Sequence, residues 1–143
     1  MRLVVVEVND TTCGRNALRW AAGRALATGA SLRIVNSASA RPMVACSCAG
    51  MFPLPVGRPE TERLGRELIT SMVEQVLGAT RTLPPIDMVA STNCLSDLLA
   101  TEAVHADIAV VGSPRTWFGR AEIARIRHRL TCPVIIVEQD RPR

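Results

Sequence analysis

The sequence predicts an α/β fold: a single-domain, open, five-stranded parallel sheet with helices on both faces, in the order β-α-β-α-β-α-β-α-β. Three observations predict it. Short β-branched runs recur along the chain and end in turn residues. Stretches of helical periodicity separate them. The 143 residues, 48% of them hydrophobic and 21% charged, suffice for one packed core.

The elements follow in order. Leu3–Val8 is a nearly continuous apolar run, as expected of a strand buried on both faces, and Asn9, Asp10, Thr11 and Thr12 after it offer N-cap side chains. GRNALRWAAGRALATG then reads as a helix, with Leu18, Ala21, Ala22 and Ala25 inward and Gly29 as its C-cap. Leu32–Asn36 is the second strand. A long loop of about 37–60 follows, interrupted by Pro42, Pro53, Pro55 and Pro59.

ETERLGRELITSMVEQVLG restores helical periodicity. Its stripe is Leu64, Leu68, Met72 and Val76, seconded by Ile69, Val73 and Leu77; Glu62/Arg66 and Arg63/Glu67 are i,i+4 pairs. PPIDMVAS is the third strand and SDLLATEAVHA the third helix, with His105 near its end. IAVVG, ending at Gly112, is the fourth strand. RAEIARIRHRL is a short fourth helix with Ile123, Ile126 and Leu130 as its inner stripe, and PVIIV (Pro133–Val137) is the fifth strand.

Composition excludes several chemistries. All 17 basic residues are Arg, so a P-loop lysine and Schiff-base catalysis are both absent. A net charge of +4 with only 3% aromatics gives little basis for single-stranded nucleic acid, and nucleic acid is not expected as a partner. No apolar run reaches the ~18 residues of a membrane span, and the N-terminus lacks the apolar core of a signal peptide. The expected location is the cytoplasm, with the five cysteines held as thiols. Neither a metal site nor an assembled acid, base and nucleophile is legible, and the chain is not expected to be an enzyme.

In a parallel sheet of this kind, ligands bind beyond the carboxyl ends of the strands where strand order reverses. The loops concerned are NDTT after the first strand, NSAS after the second and GSPRTWFG after the fourth. With ADIAVVGS (Ala106–Ser113) and CPVIIV (Cys132–Val137), these features make nearly the whole sequence resemble the universal stress protein family.

The resemblance implies a five-stranded α/β sandwich that forms a homodimer by pairing last strands, here Pro133, Val134, Ile135, Ile136 and Val137. Some members bind ATP and others do not. In those that do, a Gly-x2-Gly-x9-Gly-[Ser/Thr] loop wraps the ribose and phosphates. Carried onto this chain, the nucleotide positions are Asn9, Asp10, Val35, Gly112, Ser113, Arg115, Gly119 and Arg120.

The sequence departs from that pattern. Arg115 stands at the second Gly position, and the loop is several residues short before Pro133. Asn9 stands where ATP-binding members carry an acid, and Glu7 replaces a small residue inside an apolar strand. A buried carboxyl there needs a partner or an exposed edge.

The expected function is therefore regulatory or protective, through protein contacts with a partner of unknown identity and without tight ATP binding. No cofactor is expected on this reading. One alternative is an adenine-nucleotide switch whose phosphate loop is rebuilt with Arg115 and Arg120. Another is a thiol redox sensor at Cys46 and Cys48, in the long loop. Trp117 and Phe118 would cover the end of the core or form a contact surface. Cys13, Cys94 and Cys132 are read as small, buried or half-buried residues.

Overall fold

The computed structural model describes residues 2–37, 58–113 and 117–138. They form β1 (Leu3–Glu7), α1 (Thr12–Thr28), β2 (Ser31–Ser37), α2 (Arg58–Leu77), β3 (Ile86–Ser91), α3 (Leu95–Glu102), β4 (Ile108–Ser113), α4 (Trp117–Arg129) and β5 (Val134–Glu138). All four strand pairings are parallel, and the order across the sheet is β3-β2-β1-β4-β5. The expected fold class is the observed one.

Strand alternation sorts the core into two layers. Val4, Val6 and Val8 join Leu32, Ile34 and Val110 against Leu18 and Ala21 of α1 and Ile69 and Met72 of α2. Val5, Val35, Ala109 and Val111 face the other way, against Leu95, Leu98 and Leu99 of α3 and Ile126 of α4. Glu7 follows Val5 by two residues and so belongs to the α3/α4 face.

The first helix meets its sequence signals at both ends. Thr11 is the N-cap, its Oγ1 accepting from the Gly14 N–H at 3.1 Å. Gly29 lies in the left-handed region at φ 67°, and the Ala30 N–H reaches the Ala25 carbonyl at 2.8 Å to close the end. Small inward residues, Ala17, Ala21, Ala22 and Ala25, let α1 lie close on the sheet.

Three helices depart from expectation. In α2 the inner face runs through Thr61, Gly65, Ile69 and Met72, while Leu64 is 46% exposed. Gly65 explains the rotation: a Cβ there would stand 2.9 Å from the Ala90 Cβ and 3.0 Å from the Asn36 Oδ1, so the helix approaches the sheet at that residue. The third helix stops at Glu102, capped by the Ala103 N–H on the Leu99 carbonyl, and His105 lies exposed beyond it.

The fourth helix begins at Trp117, before the expected Arg120. Its first turn needs no i−4 carbonyl partner, so Trp, Phe and Gly are tolerated there. Gly119 is thus inside the helix and not before it. The inward stripe also differs, because Ile126 is buried and Leu130 packs on the core, while Ile123 is only half-buried.

Candidate functional site

From β1 the chain crosses to β2 on one side of the sheet, while β4 lies on the other. The carboxyl ends of β1 and β4 therefore flank the point where strand order reverses, the usual site of a ligand crevice in such folds. Glu7 ends one strand and Ser113 the other.

The loop after β1 is closed on itself. The Asn9 amide nitrogen donates toward both Glu7 carboxyl oxygens, at 3.4 and 3.3 Å. The Thr11 hydroxyl donates to Asn9 Oδ1, and Asp10 pairs with Arg15 at 2.7 Å. Beside them the Val8 N–H donates to the Val35 carbonyl, and the buried Asn36 amide donates to the Val8 carbonyl, each at 2.9 Å. Of the expected nucleotide positions, Asn9 and Asp10 thus have internal partners. Val35 is fully buried, with its side chain in the α3/α4 layer.

Gly112 meets a packing demand. A Cβ at that position would stand 2.5 Å from the Cys13 carbonyl carbon and 2.8 Å from the Gly14 nitrogen. Gly14 is itself confined, since its Cβ would stand 2.5 Å from Asn9 Oδ1 and 2.6 Å from the Asn9 carbonyl oxygen. The pair lets the first turn of α1 press against β4 and its own preceding loop. Ser113 is buried at the end of β4. Gly119 lies in the first turn of α4, and Arg120 beside it is exposed. Arg115 and the side chains of Trp117 and Phe118 lie outside the described residues, as do Cys46 and Cys48.

Glu7 is the dominant electrostatic feature. It is 4% exposed, and burial foremost pushes its carboxyl from 4.5 up to about 8. The Glu122 carboxylate raises it further, while the Asn9 amide opposes the shift. Glu122 precedes Ile126 by four residues on α4, on the stripe turned to the sheet. The Glu7 carboxyl is thus held by an amide and a retained proton, with no exposed edge. Glu122 is a neighbour that the expected inner stripe of Ile123, Ile126 and Leu130 does not include.

The remaining candidates divide. Cys13 is buried and Cys132 half-buried, its thiol pushed up by burial. Cys94 is exposed, contrary to expectation, because it precedes α3 at the N-cap; its Sγ donates to Asp97 Oδ2 at 3.0 Å. Arg120, Arg125, Arg127, His128 and Arg129 are exposed on α4, and Arg129 pairs with Asp97 of α3. Among the described residues no three His, Cys, Asp or Glu side chains gather to hold a metal, and no helix is long and apolar enough to cross a membrane.

Strand β5 lies at the edge of the sheet, and among the described residues it pairs only with β4, from Ala109↔Val134 to Ser113↔Glu138. Val134, Ile135, Ile136 and Val137 are half-buried. Pro133 stands just before the strand, where its carbonyl accepts from the Ala109 N–H at 3.0 Å.

No protein-family model and no curated protein matches the sequence. Solved structures do match. A universal stress protein from Archaeoglobus fulgidus superposes with a TM-score of 0.65 at 18% identity, covering 96% of this chain and 98% of that one. A universal stress protein in complex with cAMP gives 0.63 at 21% identity, covering 96% of each chain. A family protein from Arabidopsis thaliana with AMP bound gives 0.60 at 16%, covering 98% and 93%. At these identities the likeness establishes the fold, which is that of the universal stress proteins over nearly the full chain.

Proposed function

We propose that this chain is a divergent universal stress protein: a non-enzymatic, homodimeric regulatory or protective protein that acts through protein contacts and does not hold ATP tightly. The observation that carries the reading is the buried Glu7 carboxyl at the strand-order switch, its proton held by burial and by the charge of Glu122 on α4. The protonated Glu7 fills a place where a small residue would leave room, and neither it nor Glu122 supplies the backbone N–H groups and cations on which phosphate binding relies. Asn9 and Asp10 already have partners inside their own loop. The edge position and apolar character of β5 support strand pairing between two copies through Val134–Val137.

Some proteins of this fold are known with cAMP or AMP bound, so adenine-nucleotide binding is the specific rival. Isothermal titration of the purified chain with ATP and with AMP separates the two. The proposal expects no saturable heat with ATP in the micromolar range. Stoichiometric binding with a micromolar Kd would contradict it, and loss of that binding in Arg120→Glu would establish the rebuilt phosphate loop.

A further inference from the structure

A cavity of about 310 Å³ opens at the amino-terminal edge of the sheet, at the opposite end of the strands from the crevice. Arg2, Val4, Arg24, Thr28, Asp107 and Ile108 line it. Val4 and Ile108 are register partners in β1 and β4 and supply the apolar surface. Arg24 and Thr28, four residues apart, come from the last turns of α1. Arg2 and Asp107 immediately precede β1 and β4.

The backbone holds these groups in place. Arg2 Nη1 donates to the Thr28 carbonyl at 3.0 Å, and Thr28 Oγ1 donates to the Arg24 carbonyl at 2.9 Å. Asp107 Oδ2 accepts from the Leu3 N–H at 3.2 Å, while its own N–H donates to the Leu3 carbonyl at 2.8 Å. The carboxylate thus keeps its second oxygen, and Arg24 keeps its whole guanidinium.

Charge decides what the cavity suits. Some arginines elsewhere meet acids directly: Arg15 pairs with Asp10 at 2.7 Å, and Arg33 pairs with Asp87 at 3.0 Å and Glu102 at 3.3 Å. Among the described residues, no ion pair joins Arg2, Arg24 or Asp107 to anything. Two cations and one anion thus line the same open space without meeting. A simple anion would satisfy the guanidinium groups but face Asp107; a simple cation would face two arginines. A molecule carrying both charges satisfies both sides.

We propose that this cavity binds a small zwitterion of the amino-acid type, its carboxylate held by Arg2 and Arg24, its ammonium by Asp107, and an aliphatic side chain on Val4 and Ile108. The volume lies at the lower limit of ligand pockets, roughly 300 Å³, and suits such a molecule better than a nucleotide. Exposed charges are screened, so a dissociation constant on the order of millimolar is expected. The inference is independent of what the carboxyl-end crevice binds.

The test is a titration of the ¹⁵N-labelled chain with L-leucine, followed by amide NMR shifts. Saturable shifts of Val4, Thr28, Asp107 and Ile108 are expected. Leucine methyl ester, which lacks the carboxylate, and N-acetyl-leucine, which lacks the ammonium, should each bind at least about tenfold more weakly. Asp107→Asn keeps an acceptor for the Leu3 N–H and should weaken leucine without weakening N-acetyl-leucine. Arg24→Gln, at an exposed position, should weaken leucine without weakening the methyl ester. The proposal is overturned if leucine produces no saturable shift up to its solubility limit. Equal shifts from acetate alone, or unchanged leucine affinity in both folded variants, would overturn it as well.

Discussion

Glu7 links a single sequence position to the pH dependence of the whole fold. In the unfolded chain its carboxyl ionises near 4.5, whereas in the folded protein burial and Glu122 hold the proton to about pH 8. Below the lower value both states are protonated, and the buried group imposes no ionisation penalty. Between the two values the unfolded state releases its proton while the folded state keeps it, so stability falls as pH rises. Above about pH 8 both states are ionised and the full penalty, of order several kcal/mol, is present. Urea unfolding at pH 5 and pH 9 should therefore show wild type losing stability across the interval. Glu7→Gln, which removes the ionisation, should flatten that loss; parallel pH curves for the two proteins would contradict the assignment.

Gly112 carries a second residue-scale prediction. In Gly112→Ala the new Cβ meets backbone of Cys13 and Gly14, which cannot rotate away as a side chain would. Thermal or urea denaturation should register a loss of roughly 1–3 kcal/mol or more. An unchanged midpoint would mean that α1 is not pressed on β4 as described. Both positions were conspicuous in the sequence: Glu7 as a lone acid in an apolar run, Gly112 at the end of one. Their partners were not, because Cys13, Gly14 and Glu122 come close only through tertiary packing.

Among the elements, strands were more legible than helix faces. Consecutive β-branched residues in Leu3–Val8 and Ile108–Val111 leave little choice of conformation, and the observed strands fall within or beside those runs. The α2 sequence instead contains apolar residues on two adjacent stripes. The choice between Leu64 and Ile69 as inward residues is settled by how closely Gly65 lets the helix approach Ala90. The start of α4 differs from the expected Arg120 for a related reason: Gly119 punctuates a loop and fits equally well in a first helical turn. Helix α1 offers a clean contrast with Gly112. Gly23 lies in its interior with nothing within 4 Å of a built Cβ. Gly23→Ala should therefore raise stability by about 0.5–1 kcal/mol through helix propensity alone. A destabilised variant would show that this face of α1 is covered in solution.

At the scale of the molecule, strand order was the least legible feature and the most consequential one. Alternating strands and helices imply a parallel sheet, but β3-β2-β1-β4-β5 is a choice among topologies that periodicity does not make. That order brings Glu7 and Ser113 to the switch point and leaves β5 at an edge. An apolar edge strand predicts self-association: sedimentation equilibrium at micromolar concentration should return the mass of two chains, and a monomer would remove β5 as the interface. The same order makes the carboxyl-end crevice the place where the proposed function stands or falls. The most direct measurement is to purify the protein natively, denature it, and quantify the small molecules released. The account predicts no adenine nucleotide beyond a trace, because the buried Glu7 fills the strand-order switch and Asn9 and Asp10 are engaged within their own loop. Release of an adenine nucleotide in near-stoichiometric amount would contradict it.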